Sequence, residues 1–346
     1  MRRIVLLFLF LALLAQPVFA AELKAPEVPD AGAKLMPENR ETFLDGLLEL
    51  LRRVLPMIRP DLAEALKICG GIFCAVLLLS IVQTASGSVK TVSELAGVVC
   101  ISAMVLNSTD SLIRLAADTI QELTEYEKLL LPVLTSAMAA QGGVSTATAL
   151  YTGTALFNTV LGKIFCTFLL PLIYLYLALA IASGTFEEPI LDKTKEAFKK
   201  TVFWTIKTLL TVFTGFLGMT GVISGATDAA ALKATKATIS IVVPVVGKIM
   251  SDASEAVLIG AALAKNAMGI YGIYAILAVF LGPFVRIGVH YLLFKLTALI
   301  CFIFGSKRVT GLIEDISAAM SILLAATGAM CFLLLISCIC FLKGVR

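Results

Sequence analysis

The sequence predicts an all-α, polytopic membrane protein with about seven to nine transmembrane helices. Three observations carry that prediction. Hydrophobic residues make up 59% of the chain and charged ones 15%, and the mean hydropathy is +0.97; soluble domains hold about 25% charged residues. The apolar residues fall in long blocks, not in periodic stripes. Several blocks approach the length of about 20 residues that a helix needs to cross a hydrocarbon core about 30 Å thick. This composition excludes a disordered chain and an ordinary soluble enzyme, and a net charge of +4 gives no warrant for a nucleic-acid partner.

Residues 1–20 read as a secretory signal peptide. Arg2 and Arg3 precede an apolar core too short to span, and Val18-Phe19-Ala20 offers the small residues of a cleavage site. Residues 21–64 read as an extracytoplasmic tether followed by an amphipathic helix. Pro26, Pro29, Gly32 and Pro37 suit a flexible connection, and Phe43, Leu44, Leu47, Leu48, Leu51, Val54, Leu55 and Ile58 then recur at helical spacing between charges. Such a helix lies on a bilayer surface or on a partner.

Residues 65–346 form the polytopic domain. Charge-free runs cover 68–89, 129–162, 164–186, 208–227, 269–285 and 317–342, with 95–109 and 287–305 as weaker candidates. The run 129–162 is too long for one span and breaks at Gly142-Gly143. Between these runs, 111–128, 187–200, 227–236 and 248–255 read as polar loops, and Lys193, Lys195, Lys199 and Lys200 mark 187–200 as cytoplasmic.

An offset of 112 positions superposes Pro132 on Pro244, Met138 on Met250 and Pro171 on Pro283. It defines candidate repeats at 95–190 and 207–302 with broken or re-entrant helices, the arrangement that marks conduction or binding sites in transporter folds. Gly221 and Gly225 lie on a run of small residues, which serves close helix packing or lines a pore. Arg286 and His290 stand four positions apart on one helical face; they either line an interior path or snorkel from a span end. The candidate conduit or packing positions are therefore Pro132, Pro171, Gly221, Gly225, Pro244, Gly247, Pro283, Arg286 and His290.

Catalytic chemistry is not expected. His290 is the single histidine, no carboxylate or serine stands near it in sequence, and neither Gly162-Lys163 nor Gly247-Lys248 continues into a phosphate-binding loop. The eight cysteines lie in apolar stretches without metal-binding spacing, so they read as free thiols, and neither a metal nor a cofactor is expected.

The segments Gly218-Met219-Thr220-Gly221-Val222-Ile223-Ser224-Gly225, Lys233-Ala234-Thr235-Lys236, Val243-Pro244-Val245-Val246-Gly247 and Lys265-Asn266-Ala267-Met268-Gly269 occur in a distinctive order. In that order and spacing they resemble the stage III sporulation protein AE family, from about residue 41 to the C-terminus and most densely over 215–272. The resemblance implies a multi-pass subunit of a channel-like complex in the mother-cell membrane around the forespore, without catalysis of its own. Its implied partners are the other stage III sporulation A-operon membrane and ring proteins, a cytosolic ATPase subunit and a forespore-side partner. The implied role is support of forespore development and late forespore gene expression. The residues alone leave a second reading open, a self-contained secondary transporter for a small solute, motivated by the repeat and by Arg286 and His290.

Overall fold

A computed structural model describes residues 25–38, 43–84, 90–186, 188–217, 219, 263, 266–304 and 307–343, except that residue 187 lies outside it. Over 85, 218, 220–242, 246–262 and 264–265 it describes the helical backbone alone. Among the described residues every regular element is helical. The short α1, Asp30–Ala33, is followed by α2, Phe43–Ala85, α3, Lys90–Ala140, and α4, Val144–Lys163. A wide π turn over Ile164–Leu169 leads into α5, Leu170–Thr185, and then come α6, Pro189–Val242, α7, Val246–Phe304, and α8, Lys307–Lys343.

Among the described residues, five stretches are long and apolar enough to cross a membrane: Phe43–Thr84, Lys90–Ala140, Val144–Thr185, Asn266–Phe304 and Lys307–Lys343. The protein is an all-α polytopic membrane protein. The candidate runs are joined rather than separate. The runs at 95–109 and 129–140 belong to α3, those at 144–162 and 164–185 to α4, the π turn and α5, and those at 269–285 and 287–304 to α7. At about 1.5 Å rise per residue, the 51 residues of α3 extend about 77 Å, more than twice the hydrocarbon thickness.

Several segments read as loops are helical. In α3, Leu112, Ile113, Ala116, Ile120, Leu123 and Tyr126 are buried along one stripe, so Arg114, Asp118, Glu125 and Lys128 occupy the opposite face of a continuous helix, while Glu127 lies on the buried side. Pro189 opens α6, whose first turns contain the lysines of 187–200 beyond it; the bounds of α6 and α7 likewise enclose 227–236 and 248–255. Charge density misled here because a helix hides its period from a count of charges.

The break at Gly142 is where the sequence places it. Gly142 has φ 88°, a backbone conformation open to glycine, and it reverses the chain between α3 and α4. Pro171 accounts for the π turn. Its ring displaces the carbonyl four positions back and supplies no N–H, and the Leu170 N–H instead reaches the Phe165 carbonyl, five positions back.

α8 is the hub. It packs on α3, α5, α6 and α7, and 61% of its most apolar window is buried against 22% for α2. Lipid tails are as apolar as leucine, so this core is held by close packing, not by exclusion of water. Hydroxyls inside it donate to carbonyls one turn back: Thr119 to Leu115 at 2.6 Å, Thr297 to Leu293 at 2.7 Å, and Ser337 to Leu333 at 2.9 Å. Each of these three side chains thereby adds no unpaired donor to the apolar interior.

The segment read as a flexible tether is docked. Leu35 joins Leu50, Val54, Tyr274 and Ala278 in a small second core. A Cβ on Gly32 would come within 2.9 Å of the Val279 backbone nitrogen, so α1 lies directly on the backbone of α7. Arg53 fastens the same segment to α2, donating to the Met36 carbonyl at 2.9 Å, to Glu38 at 3.0 Å and to Glu49 at 2.7 Å. α2 itself runs unbroken through residues 64 and 65, joining the amphipathic stretch to the first apolar run. The leader at 1–20 and Pro244 lie outside the described residues.

Candidate functional site

Ionisable groups are costly inside an apolar bundle and usually mark function there. On α7, Arg286 and His290 are one helical turn apart on one face. The Arg286 guanidinium reaches across to α2, where Nε stands 3.4 Å from Asp61 and Nη2 stands 3.3 Å from Glu64. Pro283 lies one turn before Arg286 within the continuous α7, so Arg286 is presented from a helix and not from a break. His290 is 1% exposed. Its Nδ1 is 2.9 Å from the Arg286 carbonyl, and a carbonyl only accepts, so Nδ1 carries a proton. Nε2 is buried without a partner among the described residues. The arrangement is a cation held by two carboxylates, beside an imidazole with one nitrogen still available.

A second polar cluster binds three helices together. Lys195 of α6 stands 2.5 Å from Asp315 of α8 and 3.0 Å from Asp192. Tyr176 of α5 donates to the other Asp315 oxygen at 3.0 Å, and Ser183 donates to Asp192 at 2.6 Å. Burial alone lowers the Lys195 pKa, but the contacts with Asp315 and Asp192 outweigh it and leave the ammonium above its usual range. The Ser183 and Lys195 hydrogen bonds hold the Asp192 carboxyl below its usual range. Arg308 of α8 pairs at 3.4 Å with Glu94 of α3, and both side chains are largely buried.

The other predicted positions are dispersed. Pro132 is exposed within α3, Pro171 is exposed at the start of α5, and Pro283 is half-buried in α7. Gly221 and Gly225 on α6 and Gly247 on α7 are described as backbone alone. Of the nine positions, the structure brings Arg286 and His290 together on one site. Sequence reasoning missed Asp61, Glu64, Lys195 and Asp315 as partners. Asp61 and Glu64 stand three positions apart on one helical face of α2, and that spacing was the available signal. Nothing local linked Lys195 to a partner 120 positions away.

The eight cysteines are all free, and no group of three or more His, Cys, Asp or Glu side chains suited to a metal occurs among the described residues.

Comparison with known proteins gives one consistent result. The chain is 24% identical over 266 residues to stage III sporulation protein AE of Bacillus subtilis (strain 168), an alignment covering 77% of this chain and 67% of that protein. No solved structure matches the chain. The family model described as stage III sporulation protein AE matches residues 41–343, from the start of α2 to the end of α8, and the chain belongs to that family.

Proposed function

We propose that the chain is the membrane subunit of a channel- or export-like complex connecting mother cell and forespore, and that it supports forespore development and late forespore gene expression. The observation that carries this reading is the family match over residues 41–343. The fold supports it: α2 leaves Leu44, Leu48, Leu55, Leu66, Leu78 and Ile81 exposed, an apolar face for lipid or for neighbouring subunits. In this reading the chain sits in the mother-cell membrane around the forespore and performs no catalysis. It assembles with other stage III sporulation A-operon membrane and ring proteins, a cytosolic ATPase subunit that supplies the energy, and a forespore-side partner.

The test is replacement of the gene in an endospore-forming host. Loss of a late forespore reporter after engulfment, with co-purification of the ring proteins by the tagged wild-type chain, is the expected result. Normal reporter expression in the deletion strain would overturn the reading.

A second reading, a self-contained secondary transporter, is favoured by the buried His290 with its unpartnered Nε2. Solute uptake by the purified chain alone, abolished by His290→Gln or Arg286→Gln while the protein remains folded, would establish it in place of the first.

A further inference from the structure

Distant from the Arg286 site, a buried carboxylate has no ion-pair partner among the described residues. Glu127 of α3 is 4% exposed and Asn158 of α4 is 3% exposed. The Gly142 turn sets the two helices side by side, and Asn158 Nδ2 donates to Glu127. Glu127 forms no ion pair among the described residues, although the exposed Lys128 follows it in sequence. Asn158 Oδ1 is buried without a hydrogen-bond donor.

Both residues line a cavity of about 70 Å³ whose wall includes Thr124, Tyr151 and Thr159, and the exposed Tyr151, Thr159 and Lys128 give it an opening. That volume holds an ion with a few waters. The two threonines are prepared to act as ligands. Thr124 donates its proton to the Ile120 carbonyl at 2.7 Å and Thr159 donates to the Ala155 carbonyl at 2.8 Å. Each hydroxyl oxygen therefore keeps its lone pairs as its remaining function.

We propose that Glu127, Asn158, Thr124 and Thr159 form a binding site for a monovalent alkali cation. The donors are all oxygens, which suit hard cations and not the transition metals that select nitrogen or sulfur. One carboxylate neutralises one positive charge. A divalent ion would leave a net positive charge in a poorly polarisable site, whereas one monovalent cation on one carboxylate leaves none. The inference stands on the cavity and does not depend on the proposed complex.

The test is equilibrium binding of radioactive sodium, and of rubidium as a potassium tracer, to the purified full-length chain in lipid nanodiscs, with choline as the inert cation. Saturable binding of about one ion per chain is expected, with binding lost in Glu127→Gln and unchanged in Asp192→Asn. The Gln side chain preserves the contact with Asn158. Should Glu127→Gln fail to give a monodisperse protein, Thr124→Val with Thr159→Val keeps the carboxylate, and the expected result is affinity weakened about tenfold. No saturable binding of either ion, or binding that none of these substitutions alters, would overturn the proposal and leave Glu127 as a neutral carboxyl hydrogen-bonded to Asn158.

Discussion

The ammonium of Lys195 lies 2.5 Å from the carboxylate of Asp315, which follows it by 120 positions. The pair joins α6 to α8, and Tyr176 brings α5 to the same carboxylate. Lys195 and Asp315 keep only 11% and 20% of their side-chain surface. Removing one member leaves the other charge in a poorly solvated place, which costs about 3 kcal/mol. Asp315→Asn is expected to lower the thermal midpoint of the purified protein, and Lys195→Met with Asp315→Leu is expected to recover most of the loss. A double substitution as unstable as the sum of the singles would show that the pair acts independently.

The same cluster sets a pH window. Lys195 is raised from an ordinary value of 10.5, so its contribution is full below pH 10.5 and is lost as pH rises through its higher folded value. Asp192 is lowered from 3.8, so its contribution is present above pH 3.8 and is lost as pH falls through its lower folded value. Asp192 is largely exposed, and solvent screening keeps its share small. Thermal midpoints measured in nanodiscs should therefore fall more steeply on the alkaline side in wild type than in Lys195→Met.

Arg286 offers a test of helix pairing. It is 34% exposed and holds Asp61, at 20%, and Glu64, at 51%, so its coupling to α2 is only partly screened. A double-mutant cycle with Arg286→Met and Asp61→Leu is expected to give a coupling of about 1–2 kcal/mol, measured by unfolding in mild detergent with added denaturant. A coupling near zero would make the contact incidental.

Gly32 is the closest approach of the N-terminal segment to α7. Any Cβ there meets Val279 at 2.8 Å, so Gly32→Leu is expected to lift α1 and Leu35 from Tyr274 and Ala278. Limited trypsin digestion would read this as faster cleavage at Lys34, with the helical domain intact. Unchanged cleavage would mean that the segment docks through Arg53 alone.

Pro171 can be tested by hydrogen exchange. Pro171→Ala restores an N–H to the helix, and slower exchange over residues 164–171 is expected as the π turn relaxes toward α-helix. No change would locate the cause of the wide turn in packing against α3.

What the sequence revealed depended on range. The Gly142 break and the all-helical membrane character follow from local chemistry, a glycine's backbone freedom and uninterrupted apolar runs. Helix length did not follow, because Arg114, Asp118, Glu125 and Lys128 sit on the outer face of α3 while Leu112, Ala116 and Leu123 continue its buried stripe. Arg286 and His290 were identifiable as charges in an apolar run. Asp61, Lys195 and Glu127 acquired meaning only when the fold supplied their neighbours.

The position of α8 also constrains how the molecule is made. The helix that occupies the middle of the bundle leaves the ribosome after the helices it packs on, and it brings Arg308 to Glu94 and Asp315 to Lys195. Until it arrives, the earlier helices must wait in the bilayer around an unfilled centre, with Glu94 of α3 and Lys195 of α6 lacking their counterparts on α8. A chain stopped short of residue 307 would thus present quality-control proteases with a half-built shell, which the arrival of α8 seals.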